Sequence, residues 1–469
     1  MLGRMNRSLA LLLAAVPLFA ACPPPTVTPH RDGGGDPPVV VTSAWTFYTL
    51  DDSVVPASGD VELGSSLSQI AIAVAPNDTV GVAYFRPDKM YTTKPAYDVR
   101  YVDWKAGTVG TPADVRNISG QTGAFPQYIN AQGISVAFSG SEPAVAYFGG
   151  HWDGSPSPFW YQGDAAVAVH TGGGWQPESL AARDSSDAVD PSAGLVSSGG
   201  QLVGIFPSLV ASGATYFLAY RDVHYGQSAG SGDYTASELE LAYGGPGGWN
   251  HEMIQSGASD KGAYGGHSRL VMGDQGDLGV LSDHVPHDAD GTGFTPTFRL
   301  RHGTTWSKPV FGHDVFGDLT DTSTLSNTQS GAVLAYDSQK GYGAAVVNRG
   351  NSILYYAQSK DPLSSWTTSD PVVGEGTGGW YPSLAFDPVE HEPNIAYYFC
   401  SASSGKNEGQ CTDDDALKVA AHVSSYWTET TVDPDGAFMP QLAYLSNGKR
   451  VIAYRVPRTP NVLRLAVEK

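Results

Sequence analysis

WYPSLAFD (Trp380–Asp387), PNIAYY (Pro393–Tyr398), ALKVAAH (Ala416–His422) and YWTETTVD (Tyr426–Asp433) follow one another near the C-terminal end of the chain, and the same series then begins again. The second copy reads FMPQLAYL (Phe438–Leu445), RVIAYR (Arg450–Arg455) and VLRLAVE (Val462–Glu468). Each phrase alternates apolar and polar residues, or is a short apolar run rich in β-branched and aromatic residues. Each is bounded by Gly, Pro, Asn or Asp, the pattern of short antiparallel strands. The fourth phrase of the second copy is found at the other end of the chain, as AWTFYTLDD (Ala44–Asp52), which matches YWTETTVD almost position for position. A repeat whose last strand comes from the N-terminal side is what closes a ring of four-stranded blades. The expected fold is all-β: a β-propeller of four-stranded antiparallel blades, the last closed by an N-terminal strand.

Tryptophan counts the blades. Trp45, Trp104, Trp175, Trp249, Trp306, Trp366 and Trp427 each stand at the entry to a fourth strand, at spacings of 59, 71, 74, 57, 60 and 61 residues. Seven blades follow for residues 43–469; redrawing the fourth or fifth repeat would give six or eight. The second strand reads Val/Leu/Ile-Ala-Tyr in five of the seven repeats. The first blade is drawn from Leu67 and the second from FPQYI (Phe125–Ile129). A single blade cannot bury both faces of its sheet, so stacking on neighbours must do it, and closure removes the terminal edges. The recurrent Trp are read as packing between blades.

Composition agrees. Charged residues are 16% of the chain, whereas Gly (56) and Pro (32) are abundant, which suits tight turns between short strands. The net charge of −20 and the lack of a basic stripe argue against nucleic acid.

At the N-terminus, Arg4 and Arg7 precede an apolar run from Leu9 to Phe19, too short to span a bilayer stably. The run ends in Leu18-Phe19-Ala20-Ala21-Cys22, which resembles the lipobox of bacterial lipoproteins. That resemblance implies a signal peptide over residues 1–21 and a lipid on Cys22. With Pro23 rather than Asp after the Cys, it also implies an outer-membrane address in the envelope of a diderm bacterium. Residues 22–42 form a Pro/Gly-rich tether with nothing to bury. Cys400 and Cys411, with ten residues between them inside one loop, are expected to form a disulfide in an exported protein.

The turn Ser359-Lys360-Asp361-Pro362-Leu363-Ser364-Ser365-Trp366 resembles the Asp-box of sialidase-type propellers, Ser-x-Asp-x-Gly-x-Thr-Trp, with Leu363 for Gly and Ser365 for Thr. The resemblance implies a sialidase-like propeller over about nine-tenths of the chain. Tyr454-Arg455-Val456-Pro457 is similar to the Phe/Tyr-Arg-Ile-Pro element of that family, but it lies in the last blade. An arginine triad and a nucleophilic Tyr with a Glu partner are not placed by the sequence.

Function on rigid repeat scaffolds concentrates in loops, and here the loops after the second strands are long. They supply the candidate ligand-binding residues Arg86, His151, Asp153, Arg221, Asp222, His224, Arg349 and Arg455. Arg86, Arg221, Arg349 and Arg455 each follow a second strand. Were they to ring the channel mouth, they would favour a carboxylate or sulfate; ion pairs with neighbouring acids are the simpler expectation. His284, His287, Asp288 and Asp290 could hold a divalent metal, zinc or calcium, although the spacing matches neither HExxH nor an EF-hand, and a solvated loop is the plain alternative. No other cofactor is expected, and no catalytic residue is assigned. Two functions compete. The first is a monomeric, surface-anchored recognition scaffold for a glycan or protein partner at the cell envelope, touching the membrane through its lipid alone. The second is a carbohydrate-active enzyme, a sialidase-like hydrolase or a lyase, working at the same face.

Overall fold

The computed structural model describes residues 44–52, 70–91, 94–116, 133–151, 162–182, 202–224, 236–256, 263–285, 295–316, 332–348, 353–368, 372, 379–400, 415–456 and 462–469. The signal, tether, Cys22 and Cys411 lie outside them, and with Cys411 the expected Cys400–Cys411 bridge. Ala44–Lys469 forms one compact unit.

That unit is a seven-bladed β-propeller with four antiparallel strands per blade. Blade 1 comprises Ile70–Val74, Val80–Tyr91, Lys94–Lys105 and Ala113–Arg116. Blade 2 comprises Ile134–Ser139, Glu142–His151, Gln162–Thr171 and Ser179–Ala182. Blade 3 is Leu202–Ser212, Thr215–His224, Ala236–Gly245 and Gly248–Gln255. Blade 4 is Ala263–Met272, Leu278–Val285, Thr295–His302 and the short outer pieces Thr305–Trp306 and Val310–Phe311. Blade 5 is Val333–Asp337, Gly341–Asn348, Ile353–Asp361 and Ser365–Thr368. Blade 6 is Trp380–Phe386, Pro393–Cys400, Asp415–Val423 and Tyr426–Asp433. Blade 7 is Phe438–Tyr444, Arg450–Arg455 and Leu463–Glu468, completed by Trp45–Asp51.

The N-terminal strand closes the ring as the internal repeat requires. It pairs antiparallel with the third strand of blade 7, from Trp45 opposite Glu468 to Asp51 opposite Leu463, and Lys469 N donates to the Ala44 carbonyl at 2.9 Å. Two details differ from the sequence reading. The first strand of blade 2 is Ile134–Ser139, and FPQYI lies outside the described residues. In blade 4 the outer strand gives way after Phe311 to a helical turn, Gly312–Phe316, because Val315 and Phe316 bury best against Phe298 and Tyr342.

The Trp signature is an interblade contact. Trp104 packs on Tyr48 of blade 7 (centroids 5.5 Å apart), Trp175 on Tyr101 of blade 1 (5.2 Å), Trp366 on Phe298 of blade 4 (5.4 Å) and Trp427 on Tyr356 of blade 5 (5.3 Å). Trp249 Nε1 donates to Ser179 Oγ of blade 2 at 2.7 Å, and Trp306 Nε1 to Glu252 of blade 3 at 3.2 Å. Trp45 buries in a cluster with Ala396, Leu417 and Val432 of blade 6. Every one of the seven reaches back to the preceding blade.

Two further devices lock neighbours together. Near the channel, Ser135, Ser208 and Ser383 accept through Oγ from the backbone N–H of Leu209, Leu270 and Leu442 in the next blade, at 2.9, 2.8 and 2.9 Å. Further out, Asp51 of blade 7 accepts from the Tyr84 hydroxyl and from Arg100 Nη1 (2.9 Å) of blade 1. Asp433 of blade 6 likewise accepts from Tyr454 (2.5 Å) and Arg464 (2.7 Å) of blade 7. Burial first, then the adjacent carboxylate, pushes both tyrosine hydroxyls far above their usual range. They therefore stay protonated donors.

Candidate functional site

The strand registers place the seven blades on one another, and the end of the second strand is where the copies diverge. The residue after the conserved Tyr position pairs across to the third strand as Phe85–Val99, Phe148–Ala165, Arg221–Leu239, Asp283–Pro296, Val347–Leu354, Tyr398–Leu417 and Arg455–Leu463. In blades 1, 2, 5 and 6 this is an apolar or aromatic packing position. In blades 3, 4 and 7 it is Arg221, Asp283 and Arg455.

Among the described residues, the arginines that follow a second strand do not all share one position. Arg221 and Arg455 are equivalent, but Arg86 lies one residue further along and points to the opposite face of its sheet, because side chains alternate along a strand. Arg86 is paired, its Nη2 2.5 Å from Asp98 Oδ2 in its own blade. Burial opposes its charge, but Asp98 and then Asp114 outweigh that and hold the guanidinium above its ordinary value. Arg349 and Asp153 lie outside the described residues. His151 and His224 end the second strands of blades 2 and 3.

Blades 3 and 4 bring several of the predicted residues together with others the sequence reading missed. Arg221 donates from Nε to Ser237 Oγ (2.8 Å), whose hydroxyl donates to the Tyr264 carbonyl of blade 4 (2.8 Å). Gly265, at φ 83°, permits this closeness, since a Cβ there would stand 3.0 Å from Arg221 Cβ. Asp283 Oδ2 lies 2.7 Å from Nδ1 of His267, and both are buried. His267 holds φ at 46° and packs at a tilt against Phe206 of blade 3 (φ 53°), ring centroids 4.4 Å apart. Tyr381 and Met439 of blades 6 and 7 share this left-handed backbone beside a register shift in the first strand. Left-handed backbone is costly for such side chains, so the bulge is a built feature of the inner strands.

Of the four residues expected to hold a metal, His284 lies flat on Tyr264, centroids 4.1 Å apart and planes 5° apart, and His287, Asp288 and Asp290 lie outside the described residues. The acidic groups that do converge are Asp222, Glu238 and Glu240, with one carboxylate oxygen of each within 4.8 Å of the others. Asp222 and Glu238 sit directly opposite across the second and third strands of blade 3, and each is 1% exposed. Ser256 Oγ donates to Glu238 at 2.8 Å, and Tyr220 donates to Glu240 at 2.5 Å. Oxygen-rich, acidic and rigidly framed, this set suits a hard cation such as calcium better than zinc. The signal in the sequence is Ser237-Glu238-Leu239-Glu240-Leu241, with Glu240 at the position held by Arg100, Lys418 and Arg464 in blades 1, 6 and 7.

Tyr220 connects the acids to a surface groove of about 880 Å³ between blades 2 and 3, lined by Glu178, Ser179, Ala182, Trp249 and His251 among others. Its hydroxyl lies 3.5 Å from His251 Nδ1. The groove opens where Ala182 occupies the position that Asp51 and Asp433 hold in blades 7 and 6. Burial, reinforced by Glu240, raises the Tyr220 hydroxyl far out of its usual range.

Arg455 stands apart. It is 5% exposed, and burial with only Tyr97 opposing pulls its guanidinium down to about 10.

No family model matches the chain, and no curated protein does so. Solved structures similar to it include a protein of unknown function from Dyadobacter fermentans, with 12% identity over 90% of this chain and 98% of that one at a TM-score of 0.47. An α-L-arabinanase of Penicillium chrysogenum complexed with arabinobiose has 11% identity, the same coverage and a TM-score of 0.43. A Trypanosoma rangeli sialidase in complex with sialic acid has 9% identity at 0.43, covering 76% of this chain and 55% of that one.

Proposed function

We propose that the protein is a recognition scaffold that binds a glycan or protein partner at the face where the second strands end, held to the envelope by a lipid on Cys22. One observation carries the reading. At a position that packs as Phe85 and Phe148 in blades 1 and 2, blades 3, 4 and 7 carry Arg221, Asp283 and Arg455, the last two buried. Burying charge costs stability, and a repeat that already has an apolar solution gains nothing structural by abandoning it. Such departures mark the side of a scaffold that has work other than packing.

A glycan array probed with residues 43–469, with and without EDTA, tests this. Retention of a defined set of glycans without release of product supports the scaffold; a blank array removes the glycan partner. Radiolabelled palmitate incorporated into the wild-type chain and lost in Cys22→Ala supports the anchor.

A second reading is favoured by the nearness of Asp222, Glu238 and Glu240, since glycoside hydrolysis uses two carboxyl groups held within reach of one bond. Reducing sugar released from an array hit, and abolished by Glu240→Gln, would replace the scaffold with a hydrolase.

A further inference from the structure

We propose that the turns joining first to second and third to fourth strands in blades 5, 6 and 7 form a membrane-docking surface, which lays this side of the propeller on the headgroups of an anionic bilayer. The inference takes its setting from the lipid anchor proposed above and adds a contact made by the folded unit itself.

Five large apolar side chains are exposed among the described residues, and four of them stand in such turns. Leu363 (47% exposed) lies in the turn between Asp361 and Ser365 of blade 5. Val389 (57%) lies in the turn between Phe386 and Pro393 of blade 6, and Val423 (42%) and Tyr426 (59%) pair at the end of its outer hairpin. Tight turns favour Gly, Pro, Asn, Asp and Ser, so four large apolar groups on adjoining blades mark a contact surface. The turns are also laced to one another. Gln339 Nε2 of blade 5 lies 2.8 Å from His391 Nε2 of blade 6. Val389 stands so close to Gly448 of blade 7 that a Cβ there would lie 3.1 Å from its Cγ2. Ser446 of blade 7 donates from N and Oγ to Asp78 of blade 1, at 2.7 and 2.8 Å. One continuous rim therefore presents the apolar groups.

Two observations name a bilayer as the occupant. The first is charge. The chain carries a net −20, yet Lys340, Lys360 and Lys449 stand in these turns, Lys105 in the corresponding turn of blade 1, and Lys469 beside Ala44. Several of the acids there are turned inwards. Asp387 accepts from the backbone N–H of Val389 (2.7 Å) and Glu390 (3.1 Å), Asp337 from those of Gln339 and Lys340, and Glu392 is bridged to Lys340. Asp361 and Glu390 stay exposed. Lysines around an amphipathic Tyr and aliphatic tips suit the interface of an anionic membrane, where the ammonium groups meet phosphates and the apolar tips enter below them.

The second is where the chain enters the folded unit. Trp45 pairs with Glu468, which neighbours the turn carrying Lys449, so Ala44 joins blade 7 on the turn side, next to blade 6. Residues 22–43 could span about 75 Å at full extension. That reach permits any orientation, so a preferred one has to come from the surface of the unit. Docked by these turns, the propeller points the ends of its second strands away from the bilayer.

The test is flotation of the mature chain, residues 22–469 with Cys22→Ser so that no lipid is attached. One set of vesicles is phosphatidylethanolamine with phosphatidylglycerol as the minor component; the other is phosphatidylcholine alone. The chain floats with the first and less with the second. Val389→Ser with Tyr426→Ser, both on well-exposed side chains, stays folded by circular dichroism and lowers the bound fraction by at least about tenfold. Should that pair disturb the fold, Leu363→Ser serves the same comparison. Lys360→Glu with Lys449→Glu weakens binding to the phosphatidylglycerol vesicles, as does added salt. A chain that floats with neither vesicle overturns the surface, as does a serine variant that floats as the wild type does. A concentration-dependent dimer in sedimentation velocity, lost in Tyr426→Ser, would assign the patch to a second copy and overturn it too. Palmitate incorporation without flotation keeps the anchor and removes the surface; flotation without palmitate does the reverse.

Discussion

Blades 1 and 3 share a backbone frame and fill it with opposite charge. Where blade 1 sets Arg86 against Asp98 across its second and third strands, blade 3 sets Asp222 against Glu238. Where Tyr84 of blade 1 faces Arg100 in its own sheet and takes Asp51 from the preceding blade, Tyr220 faces Glu240 in its own sheet and meets Ala182 there instead. In the first blade each buried charge is answered, so the cluster stabilises the seam. In the third, three acids are gathered on one sheet, and Ser256 and Tyr220 donate to two of them. The difference teaches that one backbone frame accepts either a bridged pair or a carboxylate cluster at the same register.

The largest effect should come from breaking the answered arrangement. Asp51→Ala strands the buried Tyr84 hydroxyl and Arg100 at the closure of the ring, and should cost about 3 kcal/mol by urea denaturation. A loss below about 1 kcal/mol would show that the clamp is ornamental.

Next comes the buried guanidinium of Arg455, whose removal should help. Arg455→Met is expected to stabilise the fold by about 2 kcal/mol at neutral pH. The folded-state value near 10 lies below that of the unfolded chain, so the penalty is complete below pH 10 and lifts as pH rises through it. The gap between variant and wild type should therefore narrow above pH 10, as read from paired unfolding curves.

Glu238→Gln keeps the acceptor for Ser256 while removing one of two facing carboxylates. A gain of about 1 kcal/mol is expected, and the same substitution at Asp98 should instead destabilise. Equal signs for the two would dissolve the contrast between the blades.

The smallest effect lies at the seam of blades 5 and 6. Burial would raise Asp337 and Glu392, but His391 on the first, and Lys340 and His422 on the second, hold both carboxyls below their usual range. Carboxylates depressed in the fold lend stability that is present above the unfolded value near 4 and lost as pH falls through the folded value. The melting temperature should drop on acidification below pH 4. Lys340→Met should cost at most about 1 kcal/mol and make that drop shallower, since the pair is partly exposed.

The blade count, the strand phrases and the ring closure were all readable from residue order. Trp427 and Trp45 mark homologous strands at opposite ends of the chain, and the alternation around them fixes which residues face a neighbour. The site was legible only in part. Arg221, Asp222 and Arg455 could be named because they follow a recognisable second strand. Their roles could not, because Arg86 looks equivalent in sequence and is offset by one residue, which turns it to the other face. Glu238 and Glu240 were overlooked for a related reason: an acid on a strand reads as solvent-facing until the opposing strand is known to carry Asp222.

What the sequence determined alone was periodicity: four short strands repeated around a Trp and closed by a borrowed strand, since local alternation and turn chemistry are properties of neighbours along the chain. What only the tertiary structure decided was which charges meet. Asp51 and Tyr84 are 33 positions apart in the chain, and Asp78 and Ser446, which also meet, are 368 apart. Whether a buried charge is answered depends on the blade beside it, and that neighbour is chosen by the closing of the ring.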